Sequence, residues 1–221
     1  MTYMKFVFIH IQKSAGTSFW TMLRRHKTKD KQYKGINYLF AYPKHEKKWI
    51  KKMEKGVRKN YFRYNFIRGN FPYQSVLFLK KEHDWKLVTW IRDPIDRLIS
   101  NYNHSVYRPT PHKEEKNLRQ KSLEMVEKMD IVEYSKFMSN FTTRSTGHNP
   151  KIFDFIGVVE EHDKSIKRFN SQFKSRLPLG VKLNTNNWQP RVEVSQELRE
   201  ELRQDHLEDY EFYNKVIKRY K

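Results

Sequence analysis

A nearly continuous apolar run that ends in a turn of small residues constrains this chain more than any other feature. Met4-Lys5-Phe6-Val7-Phe8-Ile9-His10-Ile11 lacks the apolar–polar alternation of a half-exposed strand. It has the pattern of a strand covered on both faces in a parallel sheet. Gln12-Lys13-Ser14-Ala15-Gly16-Thr17-Ser18 then turns, and Phe19, Trp20, Met22 and Leu23 resume at helical spacing. The unit is strand, tight loop, helix. It recurs at residues 86–92, where Asp93-Pro94 stops a strand and a helix follows over residues 95–107. It recurs again at residues 153–159, with a helix over 160–173, and Tyr64-Asn65-Phe66-Ile67-Arg68-Gly69 supplies a further strand. These four strands predict an α/β fold: a central parallel sheet flanked by helices, in one domain spanning residues 1–221.

Charge narrows the partners. Lys+Arg 45 against Asp+Glu 25 leaves a formal net charge of +20, a surplus that predicts a polyanionic partner or substrate. The Lys-rich residues 45–62 place Trp49, Ile50, Met53 and Val57 at helical intervals, so much of that charge is the solvated face of an amphipathic helix. The chain has no cysteine, which excludes disulfides, thiolate metal sites and cysteine nucleophiles. Its histidines show no metal-binding spacing, so no metal is expected. No apolar run approaches bilayer length, and the first residues lack the order of a signal peptide, so the expected location is cytoplasmic. Residues 108–120 are polar with two prolines and read as a surface loop. A closing helical region follows Ser195, a plausible cap.

Two stretches carry chemistry. In the first, Lys13, Ser14, Ala15, Gly16, Thr17 and Ser18 let backbone N–H groups converge at a helix N-terminus, a geometry suited to phosphate or sulfate. It is P-loop-like, but the lysine precedes the glycine and the G-x-x-x-x-G-K-[ST] order is missing, which argues against a magnesium-dependent NTPase. In the second, a strand end delivers Arg92 and Ser100 lies about two helical turns further on, so the two can grip one anion at the sheet's carboxyl edge. Asp96 and Arg97 are read as local helix pairs.

These residues resemble the sulfotransferases. His10-Ile11-Gln12-Lys13-Ser14-Ala15-Gly16-Thr17-Ser18 is similar to their 5′-phosphosulfate loop, and Ile91-Arg92-Asp93-Pro94 with Arg97, Ser100 and Tyr102 to their 3′-phosphate motif. Gly69-Asn70-Phe71-Pro72-Tyr73, Thr143-Arg144 with Gly147, and residues 153–161 with Ser165 are most similar to the carbohydrate branch that includes the heparan sulfate and uronyl 2-O-sulfotransferases. The resemblance implies a P-loop-like sulfotransferase fold, 3′-phosphoadenosine 5′-phosphosulfate (PAPS) as donor, and a carbohydrate hydroxyl as acceptor, with anionic glycans among the candidates. It implies Ser14, Ala15, Gly16, Thr17 and Ser18 on the donor's 5′ side and Arg92 and Ser100 on its 3′-phosphate. Lys13 would stand at the bridging oxygen, with Asn70 and Arg144 toward the acceptor.

One position departs from that branch: where it usually carries a histidine base, this chain has Asn70, whose amide takes no proton at neutral pH. His104 is the replacement candidate, against a surface or capping role; His10 reads as a core histidine, and Glu160 and Glu161 as helix N-terminal charges. Residues 184–188 are a candidate loop over the adenine, with Trp188 stacking or else packing into the core. Two other functions fit parts of the pattern. A nucleic-acid-binding protein accounts for the charge but not for the strand-end motifs, and a nucleotide kinase accounts for the loop but not for its residue order.

Overall fold

The computed structural model describes residues 4–27, 35–38, 47–106, 126, 128–181 and 192–220. Strands β1 (Phe6–Ile9), β2 (Gly35–Tyr38), β3 (Phe66–Gly69), β4 (Lys86–Ile91) and β5 (Phe155–Val158) form one parallel sheet in the order β2-β3-β1-β4-β5. The fold class expected from the sequence is correct, but the sheet has five strands instead of four. The missed one, β2, is a four-residue edge strand of sequence GINY. A short edge strand carries too little pattern to be read against its neighbours.

Helices cover both faces, and the handedness of the crossovers decides which face each one takes. The step from β1 to β2 runs one way along the sheet through α1 (Gly16–Lys27). The steps to β3, β4 and β5 run the other way, through α2 (Lys47–Arg58), α3 (Leu77–His83), and α4 (Pro94–Val106) followed by α5 (Ile131–Phe137) and α6 (Phe141–Thr146). Right-handed crossovers in opposite directions put their helices on opposite faces. Phe6 and Phe8 accordingly pack with Phe19, Met22 and Leu23 of α1 and with Ile166 and Phe169 of α7 (His162–Phe173). Val7 and Ile9 point the other way, into a core built from Met53, Val57, Leu79 and Leu98. The chain closes on that second face with α8 (Gln196–Arg203) and α9 (Leu207–Tyr220), joined by a 3-10 turn, where sequence spacing alone suggested one helical region. Ser195 caps α8 as expected, its Oγ accepting the Leu198 N–H at 3.2 Å.

The topology creates one divergence. β1 and β4 are hydrogen-bonded neighbours, yet the chain leaves β1 toward β2 and leaves β4 toward β5. Connections that part at the carboxyl ends of adjacent strands open a crevice, the usual ligand position in open α/β sheets. Both chemistry-bearing stretches lie there. The proposed surface loop at 108–120 and the adenine loop at 184–188 fall outside the described residues.

Packing at β5 gives a test of this register. Gly157 lies opposite Trp90, and a Cβ added at Gly157 would run into the buried Trp90 indole. Gly157→Ala is expected to destabilise the fold by about 1–3 kcal/mol, as overpacking does, read from the urea midpoint. An unchanged midpoint would contradict this pairing.

Candidate functional site

The loop after β1 is wound tightly. Lys13 has φ 65° and Ala15 φ 52°, the left-handed region that side chains rarely adopt, and α1 begins immediately afterwards at Gly16. Left-handed residues spaced this way turn successive N–H groups toward one concavity, and the start of α1 adds its unsatisfied N–H groups and positive dipole end. Ser14 inside the loop is fully buried, and its hydroxyl has no hydrogen-bond partner. A buried hydroxyl left unpaired is costly, so this one is poised for a ligand acceptor. Thr17 is exposed and Ser18 buried in the first turn of α1.

Register builds the neighbouring cluster. Ile9 pairs with Gly69, so the residues one step beyond, His10 and Asn70, lie side by side. His10 Nδ1 and Asn70 Oδ1 are 2.7 Å apart. The neutral ring therefore donates from Nδ1, and the Asn70 NH2 group is left for other acceptors. Arg68, on the same face, places Nη2 at 3.3 and 3.2 Å from the two ring nitrogens. Nearly equal distances mean that it lies over the ring, since an in-plane approach would drive it into Cε1. The ring's other edge fits against Gly16, where a Cβ would clash with it. Burial, with Arg68 and Lys13 adding repulsion, lowers the His10 pKa to about 3. Burial also lowers Arg68, to about 10. His10 is thus a neutral ring that ties the loop after β1 to Asn70.

On the other side of the crevice, β4 ends at Ile91 and delivers Arg92. The next residue, Asp93, caps α4, its Oδ1 accepting the N–H groups of Ile95 and Asp96 at 3.0 Å each. Glu160 fixes the same turn: Oε1 accepts the Asp93 N–H at 2.9 Å, while Oε2 accepts the Tyr213 hydroxyl at 3.2 Å. Tyr210 donates to the Asp93 carboxylate at 3.2 Å. Burial and these carboxylates push both tyrosines above the ordinary phenol range, so both hydroxyls remain donors. Glu161 pairs with Lys164 at 3.2 Å at the start of α7, the helix-terminal role that the sequence suggested.

Ser100 lies six residues into α4 from Pro94, about 9 Å along its axis, and His104 about 15 Å along. His104 therefore sits in the last turn, at the far end of the helix from Arg92. Asp96 and Arg97 do not pair locally. Asp96 bonds Arg199 at 2.6 Å. Arg97 is fully buried, none of its guanidinium nitrogens has a hydrogen-bond partner, and the group lies 5.0 Å from the Phe141 ring. Desolvation lowers its pKa, and the charge of Asp209 opposes that shift.

Asp209 also organises α6. Its carboxylate accepts the N–H groups of Thr142 and Thr143, at 3.0 and 2.8 Å, and the Thr143 hydroxyl at 2.9 Å. This cap from α9 holds the helix that carries Arg144. After α6, Gly147 adopts φ 71°, and a Cβ there would strike the Tyr73 ring. The end of the Arg144 helix therefore abuts the turn that follows Asn70. Asp209, Tyr210 and Tyr213 went unrecognised in the sequence. Their one signal is that Asp209 lies on the stripe of Phe212 and Val216, where a carboxylate is out of place.

Residues 2–216 match the sulfotransferase family, and the chain belongs to it. Its class of reaction is sulfuryl transfer, on an α/β sulfotransferase fold. No curated protein matches the chain. Among the described residues there is no cluster of three or more His, Asp or Glu that could hold a metal ion, and no helix long and apolar enough to cross a membrane.

His10 and His206 make stability depend on pH. His206 is fully buried beside Arg97 and Asp209, and its pKa is lowered to about 4, by burial first and then by Arg97. Both rings stay neutral when folded but take up protons when unfolded below about pH 6.5, so acid favours the unfolded chain. These two rings should leave stability level from that pH to about 8 and lower it by on the order of a few kcal/mol toward pH 4.5, where most carboxylates remain ionised. Urea midpoints measured across this window test it, and a flat profile would contradict it.

Proposed function

We propose that the chain transfers a sulfuryl group from PAPS to a hydroxyl of a carbohydrate acceptor. One observation carries this reading: the β1–β4 divergence brings a wound loop with an unpaired buried hydroxyl, Ser14, to the same crevice as Arg92. Two cationic stations at one sheet edge suit a carrier charged at both ends. The residues present fit that donor. Ser14, Ala15, Gly16, Thr17 and Ser18 would hold the 5′ side through N–H and hydroxyl groups, while Arg92 and Ser100 would hold the 3′-phosphate.

The donor, when bound, supplies the sulfuryl group and a phosphate oxygen that leaves with negative charge. The Lys13 ammonium stabilises that charge, so its effect belongs to the transition state more than to binding. Asn70 offers its NH2 group and Arg144 its guanidinium to the acceptor side. Neither Asn70 nor Glu160 is a suitable base: one is an amide, and the other has both oxygens engaged. His10, protonating near pH 3, is a weak proton acceptor. His104 is the remaining base candidate of this proposal, and it can serve only if the acceptor hydroxyl lies toward the last turn of α4, away from Arg92. The net charge of +20 favours an anionic glycan as acceptor.

A thermal-shift comparison should show stabilisation by adenosine 3′,5′-bisphosphate beyond that by ATP with magnesium; the reverse order would favour a kinase, and random DNA binding without nucleotide binding a nucleic-acid protein. Lys13→Ala is expected to lower kcat about a hundredfold or more with a small change in donor affinity, whereas Arg92→Ala should weaken donor binding roughly 10- to 100-fold. Wild-type turnover in Lys13→Ala would remove the lysine from the mechanism. His104→Ala should slow transfer with donor affinity intact and abolish the acidic limb of the pH–rate profile; a retained limb would reject it as the base.

A further inference from the structure

Tyr213 and Glu160 lie outside the strand-end motifs, on α9 and in the turn before α7, yet they converge on the backbone that carries Arg92. The Asp93 N–H is the first amide after Arg92, and Glu160 Oε1 holds it at 2.9 Å. The same carboxylate is oriented from behind by the Tyr213 hydroxyl on Oε2, at 3.2 Å. Tyr210, three residues earlier on α9, reaches the Asp93 side chain at 3.2 Å, and Arg199 on α8 reaches Asp96 at 2.6 Å. The C-terminal helices thus hold the Arg92 turn at its backbone through Glu160, and bond directly to its cap and to the first turn of α4. Helix α9 is in turn fixed by buried Phe212 and Val216.

We infer that Tyr213 and Glu160 are positioning residues that act in series to hold Arg92 in place for the 3′-phosphate of the donor nucleotide. The inference rests on the donor proposed above and extends it to two residues that make no contact with the ligand. A planar guanidinium binds phosphate through paired N–H groups at defined angles, so rotation of its backbone costs affinity even when the side chain is intact. The relay acts on the 3′ end alone, because the loop around Ser14 is built from β1 and α1 and shares none of these bonds.

That asymmetry provides the test. Dissociation constants for adenosine 3′,5′-bisphosphate and adenosine 5′-phosphate are measured by calorimetry on the wild-type chain, Tyr213→Phe, Glu160→Gln and the double variant. The wild type should prefer the bisphosphate. Each single variant should reduce that preference by about fivefold, the scale of one lost hydrogen bond, with 5′-phosphate affinity held. The double variant should lose no more than the worse single one, because the two residues act through one path. Equal weakening of both nucleotides, or no change in either, overturns the relay: the first is what a general loosening of the fold would give. Should Tyr213→Phe fold poorly, Glu160→Gln decides by the same ratio, since an amide has one acceptor oxygen and cannot accept both the Asp93 N–H and the Tyr213 hydroxyl. A wild-type chain with no preference for the bisphosphate overturns the donor assignment itself.

Discussion

The parallel pairing of β1 with β4 is the constraint on which the cleft depends. Ile9 lies opposite Thr89, whose hydroxyl donates to the Ile9 carbonyl at 2.9 Å, fixing the two strands at their carboxyl ends. Everything chemical follows within a few residues: His10, Lys13 and Ser14 beyond β1, and Arg92 and Asp93 beyond β4. A slip of one residue would exchange the faces of β1, moving His10 away from Gly16 and Ile9 into its place. The aromatic core prevents this. Phe6 and Phe8 are enclosed by α1 and α7, with Phe8 meeting Phe19 edge-on at 5.3 Å, and Val7 and Ile9 are fully buried opposite. The hydrophobic register of one four-residue strand thus places His10, Lys13 and Ser14 at the crevice.

A second organising element is a carboxylate in the core. Asp209 spends its hydrogen-bonding capacity on the start of α6, and so answers the buried charge of Arg97 through the field alone. In a low-dielectric interior that field is strong, and loss of either partner would strand the other charge. Arg97 belongs to α4 and Asp209 to α9, so the pair draws the helix behind Arg92 toward the helix that bears the tyrosines. The same Asp209 fixes the helix of Arg144. One turn later on α9, Tyr213 reaches Glu160 and the Arg92 turn. A single amphipathic helix therefore braces both the start of α6 and the Arg92 turn.

What could be read in advance follows the range of the physics involved. The strand-loop-helix units at residues 4–23 and 86–107 are written in consecutive residues, and the sheet and the position of both candidate stretches at its carboxyl edge were legible from them. β2 was not, because Gly35-Ile36-Asn37-Tyr38 has neither length nor alternation and is a strand only through its pairing with β3. The contact of His10 with Asn70 joins positions sixty residues apart and appears only once the register of β1 and β3 is known. Glu160 looked like a helix-terminal charge because its partners, Asp93 and Tyr213, lie far away in sequence. Arg97 looked like half of a local helix pair with Asp96 for a similar reason: the ring and the carboxylate that receive it come from α6 and α9.

The substitution at position 70 looks different once its neighbour is known. In isolation, Asn70 removes a base from the acceptor side. Beside His10 it completes a pair in which the imidazole donates and the amide accepts, leaving an N–H donor where the branch it resembles would have a proton acceptor. A histidine at position 70 would face His10 across a gap of hydrogen-bond length, beside Arg68 and Lys13, which already oppose protonation of His10. An imidazolium there would add a third or fourth positive charge to one corner, and a neutral ring would need a tautomer matched to its partner. The amide avoids both conditions, since it carries no charge and its donor and acceptor ends cannot interchange by protonation. Under the proposed reaction the sulfuryl group in flight is anionic, so an uncharged donor at this place would stabilise the moving oxygens and leave proton removal to another group.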